Sequence, residues 1–140
     1  MKIGFESTLQ LHEGYFQSDK DILEDRGSRY AVTIAHVAGK EDLLHVLSKL
    51  QSDDYFKTAD HNSWAMIVVH DGVRYEFSND DGETGAGKVI LREMQKADIT
   101  NAVIVITRHF GGIKLERDRY AHIQTATRGA LQKAREHHAE

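Results

Sequence analysis

Between Asn79 and Tyr120 two glycine-containing turns bracket a single helix–strand unit, and that unit narrows the folds open to this chain. The stretch reads NDDGETGAGK, an amphipathic segment, an apolar strand, TRHFGGIKL and then ERDRYAHI. Apolar periodicity alone would build the core. The density of charged and amide side chains around the glycines exceeds that need, so the turns are where function is sought.

The rest of the chain extends the same alternation. Arg29–Val37 is rich in β-formers and reads as a strand. Lys40–Leu50 places Leu43, Leu47 and Leu50 on one helical face, widened by Leu44 and Val46, with Glu41 and Asp42 suiting a helix N-terminus. Trp64–His70 and Val73–Ser78 flank Asp71-Gly72 as a hairpin, with Val73, Tyr75 and Phe77 on one face. Ala86, Ile90, Met94 and Ala97 form a second helical stripe. Ala102–Arg108 is a buried-type strand, because Val103 to Ile106 are continuously apolar. Arg117–His138 reads as a long final helix, with Tyr120, Ile123, Thr127, Ala130 and Ala134 on one side. Thr8–Gln17 has room for a short strand, and the acidic Ser18–Asp25 reads as a loop. The expected fold is α/β (α+β) in the order β-α-β-β-α-β-α, a mixed sheet with helices on one face.

Composition excludes several classes. The 140 residues, 40% hydrophobic and 29% charged, suit one soluble domain. No apolar run reaches the ~20 residues that span a bilayer, and no signal-peptide core precedes the first strand, so no membrane partner and a cytoplasmic location are expected. The absence of cysteine removes disulfides, thiol nucleophiles and thiolate metal sites. Residues 1–81 carry 8 Lys+Arg against 15 Asp+Glu, a net −7, and residues 82–140 carry 10 against 7, a net +3. A basic face is thus open to the second half, although a solvated mixed surface accounts for the same excess.

The glycine-rich turn matches G-x-x-x-x-G-K from Gly82 to Lys88, between a strand and a helix. Val89 follows where a magnesium-binding hydroxyl belongs, Asp80, Asp81 and Glu83 would repel a polyphosphate, and Ala102–Arg108 lacks the metal-site acid. A calcium loop fails too, with Phe77 at the first ligand position and Lys88 at the last. The nine histidines show no metal spacing, and no G-x-S-x-G elbow occurs. His61 or His109 remain as bases for an unrecognised hydrolase, though such histidines usually make only local hydrogen bonds. The expectation is no catalytic residue, no metal and no cofactor.

An interaction surface fits better. Arg108, His109 and Phe110 at a strand end, followed by Gly111-Gly112, present a cation and an aromatic on a sharp turn, and Lys114, Arg117 and Arg119 extend the positive character. Asp80, Asp81, Glu83, Arg108, His109, Phe110, Lys114 and Arg119 are the candidate binding residues, shaped by Gly82, Gly85, Gly87, Gly111 and Gly112. The plainer alternative is a structural latch, with Arg108 or Arg119 pairing Asp80, Asp81 or Glu83.

NDDGETGAGKVIL, VIVITRHFGGIKL and DRYAHI resemble the signature of the IMPACT family, and RGSRYAVTIAHV and ADHNSWAM resemble its earlier strand motifs in the same order. The resemblance covers about residues 25–133, so residues 25–140 are expected to form an IMPACT-like domain and residues 1–24 an N-terminal extension or extra strand. It implies a fold similar to the second domain of a small-subunit ribosomal protein, and no assigned enzymatic activity. ETGAG and ERDRYAHI bring the sequence closer to the eukaryotic form than to bacterial members, which have a proline-containing serine-glycine-threonine turn and a glycine-rich segment there. Eukaryotic members add an N-terminal RWD domain and bacterial ones a C-terminal ferredoxin-like domain, and the chain is expected to have room for neither. The resemblance implies a regulator that competes for the ribosome-associated activator of the amino-acid-starvation kinase of translation initiation factor two, with monomeric actin as a further partner. An RNA- or ribosome-binding module is the alternative.

Overall fold

The computed structural model describes residues 8–139. These form β1 (Leu9–Gln10), β2 (Phe16–Asp25), β3 (Ser28–His36), α1 (Lys40–Gln51), α2 (Asp54–Lys57), β4 (His61–His70), β5 (Val73–Asn79), α3 (Ala86–Lys96), β6 (Ile99–Thr100), β7 (Ala102–His109) and α4 (Asp118–His138). The α+β class and the order β3-α1-β4-β5-α3-β7-α4 are those expected from the sequence. Among these helices none is long and apolar enough to cross a membrane.

Five strands form one sheet in the order β2-β3-β7-β4-β5. Every neighbouring pair is antiparallel, and parallel pairing is confined to a separate two-residue ladder of β1 with β6. β7 is central, which explains its unbroken apolar run. Ile104 and Ile106 face one core with Ile90, Met94 and Ile123 of α3 and α4. Val103 and Val105 face the other with Leu43, Val46 and Leu50 of α1. Helices therefore cover both faces, which corrects the expected one-sided arrangement. The Leu43/Val46/Leu50 spacing puts one stripe of α1 inward and leaves Leu44 outside, 54% exposed.

Ser18–Asp25 belongs to an edge strand, not to a loop. β2 pairs with β3 from Phe16↔Ala35 to Asp25↔Ser28, and its register shifts between Asp19 and Leu23, where Asp21 has φ +52°. Acidic side chains and an irregularity of this kind are common on edges, where they discourage pairing with a second chain. The Asp71-Gly72 turn has positive φ at both positions, 54° and 77°, as a two-residue hairpin turn matching strand twist requires. On the opposite edge Val73, Tyr75 and Phe77 share one face of β5 and remain roughly half exposed.

Truncating the centre of β7 should cost far more than truncating the outer side of α1. Ile104→Ala is expected to lower stability by ~2–5 kcal/mol, and Leu44→Ala by no more than ~0.5 kcal/mol, as read from urea unfolding midpoints.

Candidate functional site

The acidic bend is held by its own main chain. Asp80 accepts hydrogen bonds from the amides of Gly85 at 2.9 Å and Gly87 at 2.8 Å, the opening amides of α3. In a phosphate-binding loop such amides face the ligand; here a carboxylate of the same chain occupies them. Gly85 starts α3 with φ +86°, and a Cβ at Gly87 would stand 3.0 Å from Asp80 Oδ1. Asp81, at φ +48°, accepts from the Asn62 amide at 2.7 Å, and its carbonyl lies 2.9 Å from His61 Nδ1. The Asp80 carbonyl accepts from the Ser63 hydroxyl at 2.7 Å. Asp80, half-buried, and Asp81, exposed, thus brace the bend against α3 and β4.

Glu83 makes the link to the second turn. Its carboxylate, 5% exposed, accepts from Arg108 Nη1 at 2.6 Å, and Arg119 Nε lies 3.7 Å away. The acidic bend and the arginine–glycine corner are neighbours, and the latch between them is real. The alternation of β7 sends Arg108 to the face of α3 and α4 and His109 to the other, where its ring meets Tyr55 at 4.5 Å. His109 therefore stands apart from the other candidate residues. The Arg108 guanidinium carbon lies 5.9 Å from the Tyr30 ring centre and 5.7 Å from that of Phe110.

The corner itself is pinned from both sides. The Phe110 amide donates to Asp60 Oδ2 at 2.7 Å, and the Gly111 amide to Ser28 Oγ at 3.2 Å. A Cβ on Gly111 would come within 2.0 Å of the Gly27 carbonyl carbon, so two main chains touch with no space for a side chain. Leu115 is buried and anchors the following segment, while Phe110 (46%) and Ile113 (55%) stay exposed. Tyr120 donates to the Thr84 carbonyl at 2.9 Å and accepts from Arg119 Nη2 at 2.9 Å, tying the start of α4 to the acidic bend. His61, Arg108, Phe110, Lys114, Glu116 and Arg119 line a shallow depression of about 420 Å³ over this junction.

A second link escapes sequence reasoning. Asp25, at the end of β2, accepts from Arg26 Nη2 at 2.9 Å and lies 2.7 Å from His122 Nε2, and Arg26 also pairs with Asp118. Hydrogen bonds from Arg26 first and His122 second hold the Asp25 carboxyl down at about 2. Tyr30, fully buried between this network and Arg108, has its hydroxyl pushed up to about 12 by burial above all. Arg26, Tyr30, Asp118 and His122 fall in the RGSRY and DRYAHI segments; Asp25 lies just before the first, and nothing in the spacing pairs it with His122.

The family described as the Impact N-terminal domain matches residues 26–131. The chain is 36% identical over 124 residues to the Protein IMPACT homolog of Saccharomyces cerevisiae, covering 87% of this chain and 47% of the relative. It is 36% identical over 111 residues to Protein IMPACT of Oryctolagus cuniculus, covering 78% and 35%. Among solved structures it is similar to Yih1, described as a two-domain translational regulator, with TM-score 0.58, 32% identity and coverage of 88% of this chain and 48% of that one. A hypothetical protein, 23% identical with TM-score 0.66 and coverage of 89% and 61%, shares the fold. The chain spans a third to a half of the length of these curated relatives.

Removing one partner of the buried pair leaves a desolvated charge, so Arg108→Met should cost about 3–5 kcal/mol. The Glu83→Gln/Arg108→Met double variant should recover part of that loss in urea unfolding. The depressed Asp25 carboxyl adds stability that is complete above its ordinary value of 3.8 and is lost as pH falls through about 2. Asp25→Asn should accordingly flatten the decline in melting temperature between pH 4 and pH 2.

Proposed function

The chain belongs to the IMPACT family, and from that premise we propose that it regulates translation by binding, with the corner around Phe110 as its contact surface. The supporting observation is the exposure of Phe110 and Ile113 on a corner fixed by the Gly27–Gly111 contact and the Glu83–Arg108 pair. Exposed apolar side chains on a rigid frame lose little entropy when a partner covers them, and aromatic residues flanked by cations are common anchors of protein interfaces. Lys114 and Arg119 supply those cations beside Phe110. Arg108 acts from beneath, since burial against Glu83 keeps it from reaching a partner directly.

His61 is engaged with the Asp81 carbonyl, as a local hydrogen-bonding histidine would be. The partner proposed is the ribosome-associated activator of the amino-acid-starvation kinase, displaced from that kinase by competition. Yih1, a translational regulator by description and 32% identical, supports the translational role, and the partner follows from the family resemblance of the motifs alone.

Affinity capture from amino-acid-starved cells is expected to recover the kinase activator. A Phe110→Ala/Lys114→Glu variant, with unchanged circular dichroism, should reduce recovery at least tenfold. Equal recovery by this variant would reject the surface. Recovery abolished by nuclease would favour RNA or ribosome binding, and recovery of monomeric actin alone would replace the partner.

A further inference from the structure

Away from the corner, the segment between β1 and β2 meets the end of α4 at three imidazoles. His12 lies 126 positions before His138, yet its amide donates to His138 Nε2 at 3.1 Å. The His12 ring centre is 5.5 Å from that of His137 and 5.0 Å from that of His138, and the last two are 4.9 Å apart. One nitrogen from each ring lies within 4.8 Å of the other two. The lack of ligand spacing in the sequence has no bearing on this cluster, because folding brings His12 to the adjacent pair His137 and His138.

The hydrogen bonds set the tautomers. His12 Nδ1 lies 2.9 Å from the Glu13 carbonyl oxygen and His138 Nδ1 lies 2.7 Å from that of Ala134. A carbonyl oxygen only accepts, so each Nδ1 carries a proton, and in the neutral ring that leaves each Nε2 with a lone pair. His138 Nε2 meets the same requirement by accepting the His12 amide. Metal-binding histidines are usually oriented in this way, with the second ring nitrogen donating to a carbonyl. Tyr15, itself buried, packs its ring 5.2 Å from His137 and 4.9 Å from His138, fixing the floor beneath them.

The geometry points to a site for a divalent transition-metal ion, Zn²⁺ being the reference, held by His12, His137 and His138 with water in the remaining position. Imidazole suits zinc, copper and nickel in preference to magnesium or calcium. Tetrahedral zinc with bonds of about 2.1 Å sets its nitrogens about 3.4 Å apart, so the rings close inward by roughly 1 Å. His12 and His137 are exposed and His138 half-buried, which leaves them free to make that movement. The His12 amide turns to water when zinc takes the lone pair. Binding would clamp the turn before β2 onto the C-terminal end of α4, and any ion favouring this folded arrangement raises its stability.

Zinc chloride titrated into chelator-treated protein should bind one-to-one by calorimetry and raise the melting temperature. His12→Ala and His137→Ala should each weaken binding at least tenfold and remove the thermal shift, while His70→Ala, at the exposed hairpin, leaves both unchanged. Histidine-ring NMR of the unaltered protein should place zinc on Nε2 of His12 and His138, whatever the folding of the variants. No binding, binding unaffected by either alanine, or perturbation confined to other histidines would overturn the site.

Discussion

The buried pair between Glu83 and Arg108 is the interaction around which the rest of the molecule is arranged. It joins the turn before α3 to the end of the central strand, with both side chains less than a tenth exposed. Either charge alone would be costly in this place, so neither element can shift without the other. Arg119 and Tyr120 extend the link to α4. Three segments distant in sequence are thereby held as one rigid platform. The Asp25–His122 contact closes the same platform from the side of β2.

This arrangement explains why a loop with the letters of a nucleotide site holds no room for one. Asp80 takes the amides of Gly85 and Gly87, and Glu83 takes the arginine, so the polar groups of the bend are engaged with one another. Outside the latch, Phe110, Ile113 and Lys114 are left exposed, and these carry the proposed contact. The family includes a protein described as a translational regulator, and the proposed contact surface rests on this frame.

Much of the fold was legible because its strongest elements have unmixed periodicity. The Asp-Gly hairpin, the Ala86/Ile90/Met94 stripe, the apolar run of β7 and the final helix stand where their patterns put them. β2 was hidden because an acidic, irregular edge strand shows no apolar alternation. The side of the sheet taken by α1 was hidden because periodicity identifies a helix's inner stripe without saying what it faces. At the site, residue types and glycines pointed to the two turns, which the fold brings together. Bracing roles for Asp80 and Asp81 were invisible because their partners are amides, which every sequence possesses. His109 was misplaced by one position of a period-two strand. The meeting of His12 with His137 and His138 depends on tertiary structure throughout.

The touching main chains at Gly27 and Gly111 carry a consequence for substitution. Because main-chain atoms form this joint, a side chain at either glycine would part the two segments, so both positions are closed to substitution. The exposed side chains of Phe110 and Lys114 lie outside this joint, so substitutions there leave the architecture beneath them unchanged.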